Sequence, residues 1–525
     1  MKLLSAFTLL LAGLPSTFAA DRTFDFDIVN AAVAPDGFER QGVLVNGIYP
    51  APLITASKND RLVIRTNNKL TNPNMRRSFS IHWHGFFQPR TSDMDGPAFV
   101  NQCPIAPNTT FIYDFPTAGQ TGNFWYHSHL STQYCDGLRG AIVIYGKLRP
   151  DDPLKDLYDV DDEGTVITLS EWYHILAPAG NDQFFTTGIV PVQDSGLING
   201  KGRFIGGPLV PFAVVNVEQG KRYRLRIFGL SCRPFFTFSI DNHNLTFIEA
   251  DGIEHDPVEV QNIDVYAAQR VSAVLNANQP VNNYWIRAPP PVVALRTTRT
   301  FPDNPNLTLA VLRYKGAAEE EPTTTNPGGP KLLDQQMHPI AQEGPGKLGD
   351  GPPDVHITLN IAQPNPPFFD INGISYISPT VPVLLQILSG AKKPQDLLPS
   401  EQVFVVPKNA LIEVNIPGTG AHPFHLHGHT FDVVLPSNDD VFNFKNPLRR
   451  DVYPINGGNT TFRFFTDNPG AWFLHCHIDW HLEAGLAIVF AEAPEDNVSG
   501  PQAQITPQEW KDLCPDYDAL PPSTQ

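Results

Sequence analysis

Positive charge is what this chain most lacks. Its 525 residues hold 37 Lys and Arg against 54 Asp and Glu, a formal net charge of −17. Nucleic acid and anionic membrane both demand basic surface, so neither is expected as a partner. Charge of either sign is sparse, at 17% of residues, which disfavours solvated helical bundles. Apolar runs of spanning length are absent as well, so no membrane anchor is expected. The one apolar run, Leu3–Phe18, follows Met1-Lys2 and precedes Ala19-Ala20. That pattern reads as a secretory signal peptide over 1–20, leaving a mature, extracellular chain that begins near Asp21. Cysteines number only five; an oxidising compartment would pair four and leave one over. Sequons at Asn108, Asn244, Asn306, Asn459 and Asn497 are compatible with glycosylation.

Turn formers, by contrast, are plentiful: 51 Pro and 39 Gly. They separate short alternating segments such as Arg61–Thr66, Phe111–Phe115, Ala141–Tyr145, Tyr223–Ile227 and Thr461–Phe465. Alternation between turn clusters predicts antiparallel sandwiches rather than βαβ units. The acidic stretch Asp151–Glu163 and the low-complexity run Glu319–Pro330 divide the chain into three expected domains, 21–150, 151–320 and 321–525.

Four His-x-His pairs stand out: His82/His84, His127/His129, His425/His427 and His475/His477, with Cys476 inside the last. On a strand, residues i and i+2 share a face about 6.6 Å apart, so each pair is a two-pronged metal grip. In His475-Cys476-His477 the imidazoles point one way and the thiol the other, so one strand can serve two metal sites. All four pairs fall in the first and last thirds, whereas His174, His243 and His255 of the middle third stand apart. The site is expected where domains one and three meet, with the middle domain a spacer or pocket wall.

Imidazoles suit zinc, copper, iron or nickel. The set His422, Cys476 and His481, with Leu486 at the position of a weak axial ligand, describes a blue-copper electron-transfer centre. Structural zinc would need a fourth ligand, and no second free cysteine is near. A thiol protease built on Cys476 and His481 leaves eight histidines unexplained.

The motifs Ile81-His82-Trp83-His84-Gly85, Trp125-Tyr126-His127-Ser128-His129, His422-Pro423-Phe424-His425-Leu426-His427-Gly428 and His475-Cys476-His477-Ile478-Asp479-Trp480-His481 resemble the four copper signatures of multicopper oxidases, and among these the fungal laccases. The resemblance implies three cupredoxin-like Greek-key sandwiches and four copper ions. It places His422, Cys476 and His481 at a type 1 copper with Leu486 as its axial non-ligand, and His82 and His425 at type 2. His84, His127, His129, His427, His475 and His477 would hold the binuclear type 3 pair. It also implies disulfides Cys103–Cys514 and Cys135–Cys232, a proton-relay carboxylate at Asp95, and His481 as the edge that meets substrate. The implied activity is one-electron oxidation of small phenols or aromatic amines coupled to reduction of O₂ to water by a monomer. A ferroxidase, or a copper-binding pigment-associated protein without turnover, would share much of this pattern.

Two departures stand out. Resembling enzymes often carry a carboxylate where this chain has Arg233, beside Cys232. A guanidinium cannot take a phenol proton, so solvent or another acid such as Asp194 would have to do so. Asp93-Met94 replaces a common Trp-Ala pair, a change expected to do little.

Overall fold

The computed structural model describes residues 20–146, 154–233, 235–291, 307–326, 328–341, 350–418 and 420–521. Residues 1–19 of the signal peptide expected over 1–20, the start of the acidic linker and Asn306 lie outside them.

Three pairs of facing sheets follow one another along the chain. The first couples Arg40–Val45, Asp21–Val33, Arg61–Lys69 and Thr110–Pro116 in one sheet with Ile54–Ser57, Arg139–Tyr145, Gly122–Ser128 and Ile81–His84 in the other. The second packs a seven-stranded sheet on a five-stranded one, using strands between Val166 and Tyr314. The third opposes two five-stranded sheets. One is built around Leu411–Ile416 and Thr460–Phe465, the other around Gly470–Cys476 and His422–Leu426. Each element is a short strand because alternation buries one face at a time: Arg61–Lys69 reads buried at Leu62, Ile64, Thr66 and Asn68. This is the expected all-β class.

Two apolar cores cross the boundaries between sandwiches. Along Gly470–Cys476, Trp472, Leu474 and Cys476 join a core shared by the second and third sandwiches, while Ala471 and Phe473 join that of the first. The strand is buried on both faces, with the first sandwich pressed against one of them.

The helices escape a period-two reading. Gln508–Asp518 buries Trp510, Leu513 and Tyr517 at helical spacing and is tied back by Cys103–Cys514. Cys135–Cys232 joins the first two sandwiches, and Cys476 is the free, buried cysteine among the described residues. Of the sequons, Asn497 is closed to modification. It is buried and its amide donates to the carbonyls of Glu492 and Ala493.

Candidate metal centre

Strand register assembles the site. In the first sandwich His82 lies opposite His127 on adjacent antiparallel strands. In the third, His425 lies opposite His475, and Phe424 opposite Cys476. Directly paired residues share a face, so each sandwich presents a two-strand platform of imidazoles, and the platforms face one another. His425 Nε2 stands 3.4 Å from His82 Nε2, and His129 Nε2 stands 3.4 Å from His475 Nε2. The imidazoles of the first and third sandwiches thus face each other in one cluster.

On the opposite face, Cys476 Sγ lies 3.6 Å from His422 Nδ1 and 3.7 Å from His481 Nδ1, and those two nitrogens are 3.1 Å apart. Cys476 and His422 are buried, whereas His481 is partly exposed. Leu486 is fully buried. Its carbonyl accepts from the Cys476 N–H and its N–H donates to the His481 carbonyl, each at 3.1 Å, so this leucine is fixed between two members of the triad. Phe369 packs on His481 with ring centroids 4.7 Å apart. Burial pushes the Cys476 thiol up and His422 down to about 4. Burial also depresses His481, with the charges of His422 and Arg233 adding to it. Neutral imidazoles are ready ligands, and a cation would supply the charge that draws the proton from the thiol.

The eight-histidine cluster is built so that one ring nitrogen anchors and the other points inward. Nδ1 is held at His82 by the Asp95 carbonyl (2.8 Å), at His127 by the Ser128 carbonyl (2.9 Å) and at His425 by the Asp451 carbonyl (2.9 Å). His475 Nδ1 meets the Cys476 carbonyl (3.0 Å), and His477 Nδ1 the Tyr134 hydroxyl (3.3 Å). His427 Nδ1 meets Asp95 Oδ2 (2.8 Å). His84 is the exception: its Nε2 meets Asp451 Oδ1 (3.3 Å), which leaves Nδ1 inward. The outer hydrogen bond decides which nitrogen is left to act as ligand.

The donor set fits a group of metal ions. His84 Nδ1, His127 Nε2 and His477 Nε2 are buried without a hydrogen-bond partner, which is costly unless something else satisfies them. Elsewhere ring nitrogens face each other, as at His427 Nε2 and His475 Nε2, 3.0 Å apart. Burial, then the neighbouring rings, hold His84, His127, His129, His425 and His427 well below the usual imidazole range. Nitrogen donors in this density, beside a two-imidazole, one-thiolate set, suit copper.

Asp95, singled out in the sequence, is fully buried between His82 and His427. Arg233 is half-buried; no carboxylate among the described residues pairs with it, and its Nε lacks a partner. Asp194 is held elsewhere, accepting from the His174 N–H at 2.7 Å. The sequence reading missed Asp451, which holds both His84 and His425, and Tyr134, whose hydroxyl meets His477. The signal for the former was a run of charges, Arg449-Arg450-Asp451, set in an apolar strand pattern. A cavity of about 420 Å³ reaches His129, with Tyr376, Glu483 and Tyr517 in its wall.

Known proteins share this arrangement. Domain families described as multicopper oxidase match residues 27–149, 163–317 and 376–496. Laccase-2 of Agaricus bisporus is 74% identical over the whole of both chains. The laccase of Phlebia radiata is 50% identical over 94% of each. Among solved structures, a laccase from Botrytis aclada is 30% identical with a TM-score of 0.82, covering 96% of this chain and 93% of its own. Fet3p, described as a multicopper oxidase that functions in iron import, is 28% identical with a TM-score of 0.83, covering 95% of this chain and 96% of its own. With all three sandwiches matched and laccases aligned from end to end, the chain belongs to the multicopper oxidase family and is an oxidase of the laccase type.

Proposed function

We propose that this laccase takes electrons from small phenols and aromatic amines at His422–Cys476–His481 and delivers them to O₂ at the eight-histidine cluster. The carrying observation is the shared strand: Cys476 faces one site and His475, one peptide away, faces the other. We assign His82 and His425 to a type 2 copper. The six type 3 ligands divide by proximity into His84, His127 and His477 on one ion and His129, His427 and His475 on its partner. Domains at 21–150, 151–320 and 321–525 accompany this reading. Bound copper supplies one-electron transfer at the first site and four-electron reduction of O₂ at the second.

The protein's own groups do the rest. His481, the partly exposed member of the triad, offers an aromatic donor its closest approach. Buried Leu486 keeps water and polar ligands from the triad. The Cys476 carbonyl, bonded to His475 Nδ1 at 3.0 Å, ties the two sites through a hydrogen bond as well as a peptide. Asp95, whose Oδ1 accepts no hydrogen bond and lies 3.3 Å from His82 Nδ1, is the carboxyl placed to deliver a proton at the cluster. Arg233 at the rim of the first site takes no proton from a phenol and favours anionic donors.

We further infer a secreted monomer that works without membrane or nucleic acid. The N-terminal apolar run supports secretion, and the acidic composition counts against nucleic acid and anionic membrane. Metal analysis and O₂ uptake test the whole reading. About four coppers per chain, a blue absorption and uptake on adding a phenol are expected; zinc in their place, or uptake with Fe(II) alone, overturns it.

A further inference from the structure

The middle sandwich supplies no imidazole to the cluster, yet it sends a charge there. Arg270, on strand Arg270–Asn276, is fully buried. Its guanidinium grips Asp451 with two parallel bonds, Nη1 to Oδ1 and Nη2 to Oδ2, each 2.6 Å. Its Nε donates to the Asn123 carbonyl of the first sandwich at 3.0 Å, and Nη1 also donates to the Ala268 carbonyl. Asp251, from the same middle sandwich, is bridged to Arg450 at 2.8 and 3.1 Å. It also accepts from the N–H groups of Asp451 and Val452. Side chain and backbone of residue 451 are thus both fixed by the middle sandwich.

Asp451 in turn holds two imidazoles in opposite senses. Its carboxylate takes His84 Nε2 and its carbonyl takes His425 Nδ1. We propose that Arg270 is a positioning residue for the trinuclear copper cluster, clamping Asp451 so that His84 turns Nδ1, and His425 turns Nε2, toward the metals. Gly85 is the second, independent sign of this clamp. Its φ is +95°, and a Cβ there would stand 2.5 Å from Arg270 Nη2 and 3.1 Å from Asp451 Oδ2. Glycine after the first His-x-His pair thus serves both the left-handed backbone there and the space that the guanidinium and Phe124 occupy. Lysine could not replace Arg270, since an ammonium is a point donor and cannot hold both carboxylate oxygens in a fixed plane.

The inference rests on the copper assignment above, so the test reads both sites. Arg270→Lys and Gly85→Ala are made in the full chain, expressed with copper. The first removes the fork while keeping the charge; the second crowds the fork, and strains the backbone beside His84, without touching any charge. Copper per chain, blue absorption and paramagnetic resonance are measured during titration with a copper chelator. Both variants should keep the blue absorption of the Cys476 site while copper at the cluster is lost at about 10–100-fold lower chelator. Asp451→Asn, which preserves volume, should do the same and serves if Arg270→Lys does not accumulate. Unchanged cluster occupancy, or loss of the blue signal in step with the cluster, overturns the proposal, the second outcome marking a general collapse between domains. A wild type without copper or blue colour would instead overturn the functional reading itself.

Discussion

Asp93 should cost this protein stability at neutral pH. It lies in the 3₁₀ turn Ser92–Met94, is 1% exposed, and neither carboxylate oxygen has a hydrogen-bond partner. The substitution at Asp93-Met94 looked innocuous in sequence; in the fold it buries a carboxyl with nothing to receive it. Burial pushes that carboxyl from the usual 3.8 to about 7. At about 1.4 kcal/mol per pH unit, the difference between 7 and 3.8 amounts to a penalty on the order of 4 kcal/mol once the group is ionised in both states.

The sign follows from proton binding. Below about pH 4 the carboxyl is protonated folded and unfolded, and there is no penalty. Between about 4 and 7 the folded state holds the extra proton, so stability falls as pH rises; above 7 the loss is complete. Asp93→Asn keeps the shape without the charge. It should therefore stabilise at pH 8 and change little at pH 4. If the chain unfolds as one unit, at roughly 2.1 cal/mol/K per residue, the midpoint should rise by about 4 °C at pH 8. Calorimetry of wild type and variant at one scan rate, at both pH values, reads this directly. An equal shift at pH 4 and pH 8, or none at either, refutes the reasoning, because it means the carboxyl is never ionised at a cost.

Cys476→Ser should abolish the blue absorption and stop turnover of phenols, since the thiolate is what the two sites share; a surviving intense blue band excludes Cys476 as ligand. Leu486→Met should lower the potential of the first site, because a thioether can approach axially and favour the oxidised ion; a redox titration with an unchanged or higher potential removes Leu486 from that position. Arg233→Asp should lower KM for phenols and aromatic amines and raise it for sulfonated donors. Two like charges about 6 Å apart at an effective dielectric near 20 repel by roughly 3 kcal/mol before salt screens them. Equal effects on donors of every charge would take Arg233 out of the rim.

The parts of the site that were legible in the sequence are those governed by strand periodicity. His-x-His pairs declare a shared face, and His475-Cys476-His477 declares opposite faces, because alternation is a property of six or seven residues at a time. The structure returns this as Cys476 in one core and Phe473 in the other. Pairing of cysteines 411 residues apart has no such local rule and came from resemblance alone. The helix Gln508–Asp518 was missed because prolines and alternation dominate the chain, although Trp510, Leu513 and Tyr517 carry a helical spacing. The network around Asp451 was the least legible, since its members Gly85, Asn123, Asp251, Arg270 and Arg450 come from all three sandwiches.

That network belongs to a wider pattern in a chain poor in basic residues. Several arginines are buried at the seams between sandwiches. Arg40 reaches from the first sandwich to the Tyr173 carbonyl of the second. Arg139, fully buried, bonds Glu171 and the Leu230 carbonyl across the same seam. Arg226 takes Asn123 while bridged to Asp161, and Arg450 and Arg270 close the seam to the third. Buried ion pairs of this kind add little net stability over apolar packing, yet removing one partner costs about 3–5 kcal/mol. Their effect is therefore to penalise misregister between sandwiches more than to strengthen any one of them. A cluster assembled from two sandwiches, with inward nitrogens 3.0 to 3.4 Å apart, tolerates little sliding of one against the other. Directional charge pairs at the seams supply that registration, which apolar surfaces, able to slip by a methyl group at small cost, do not.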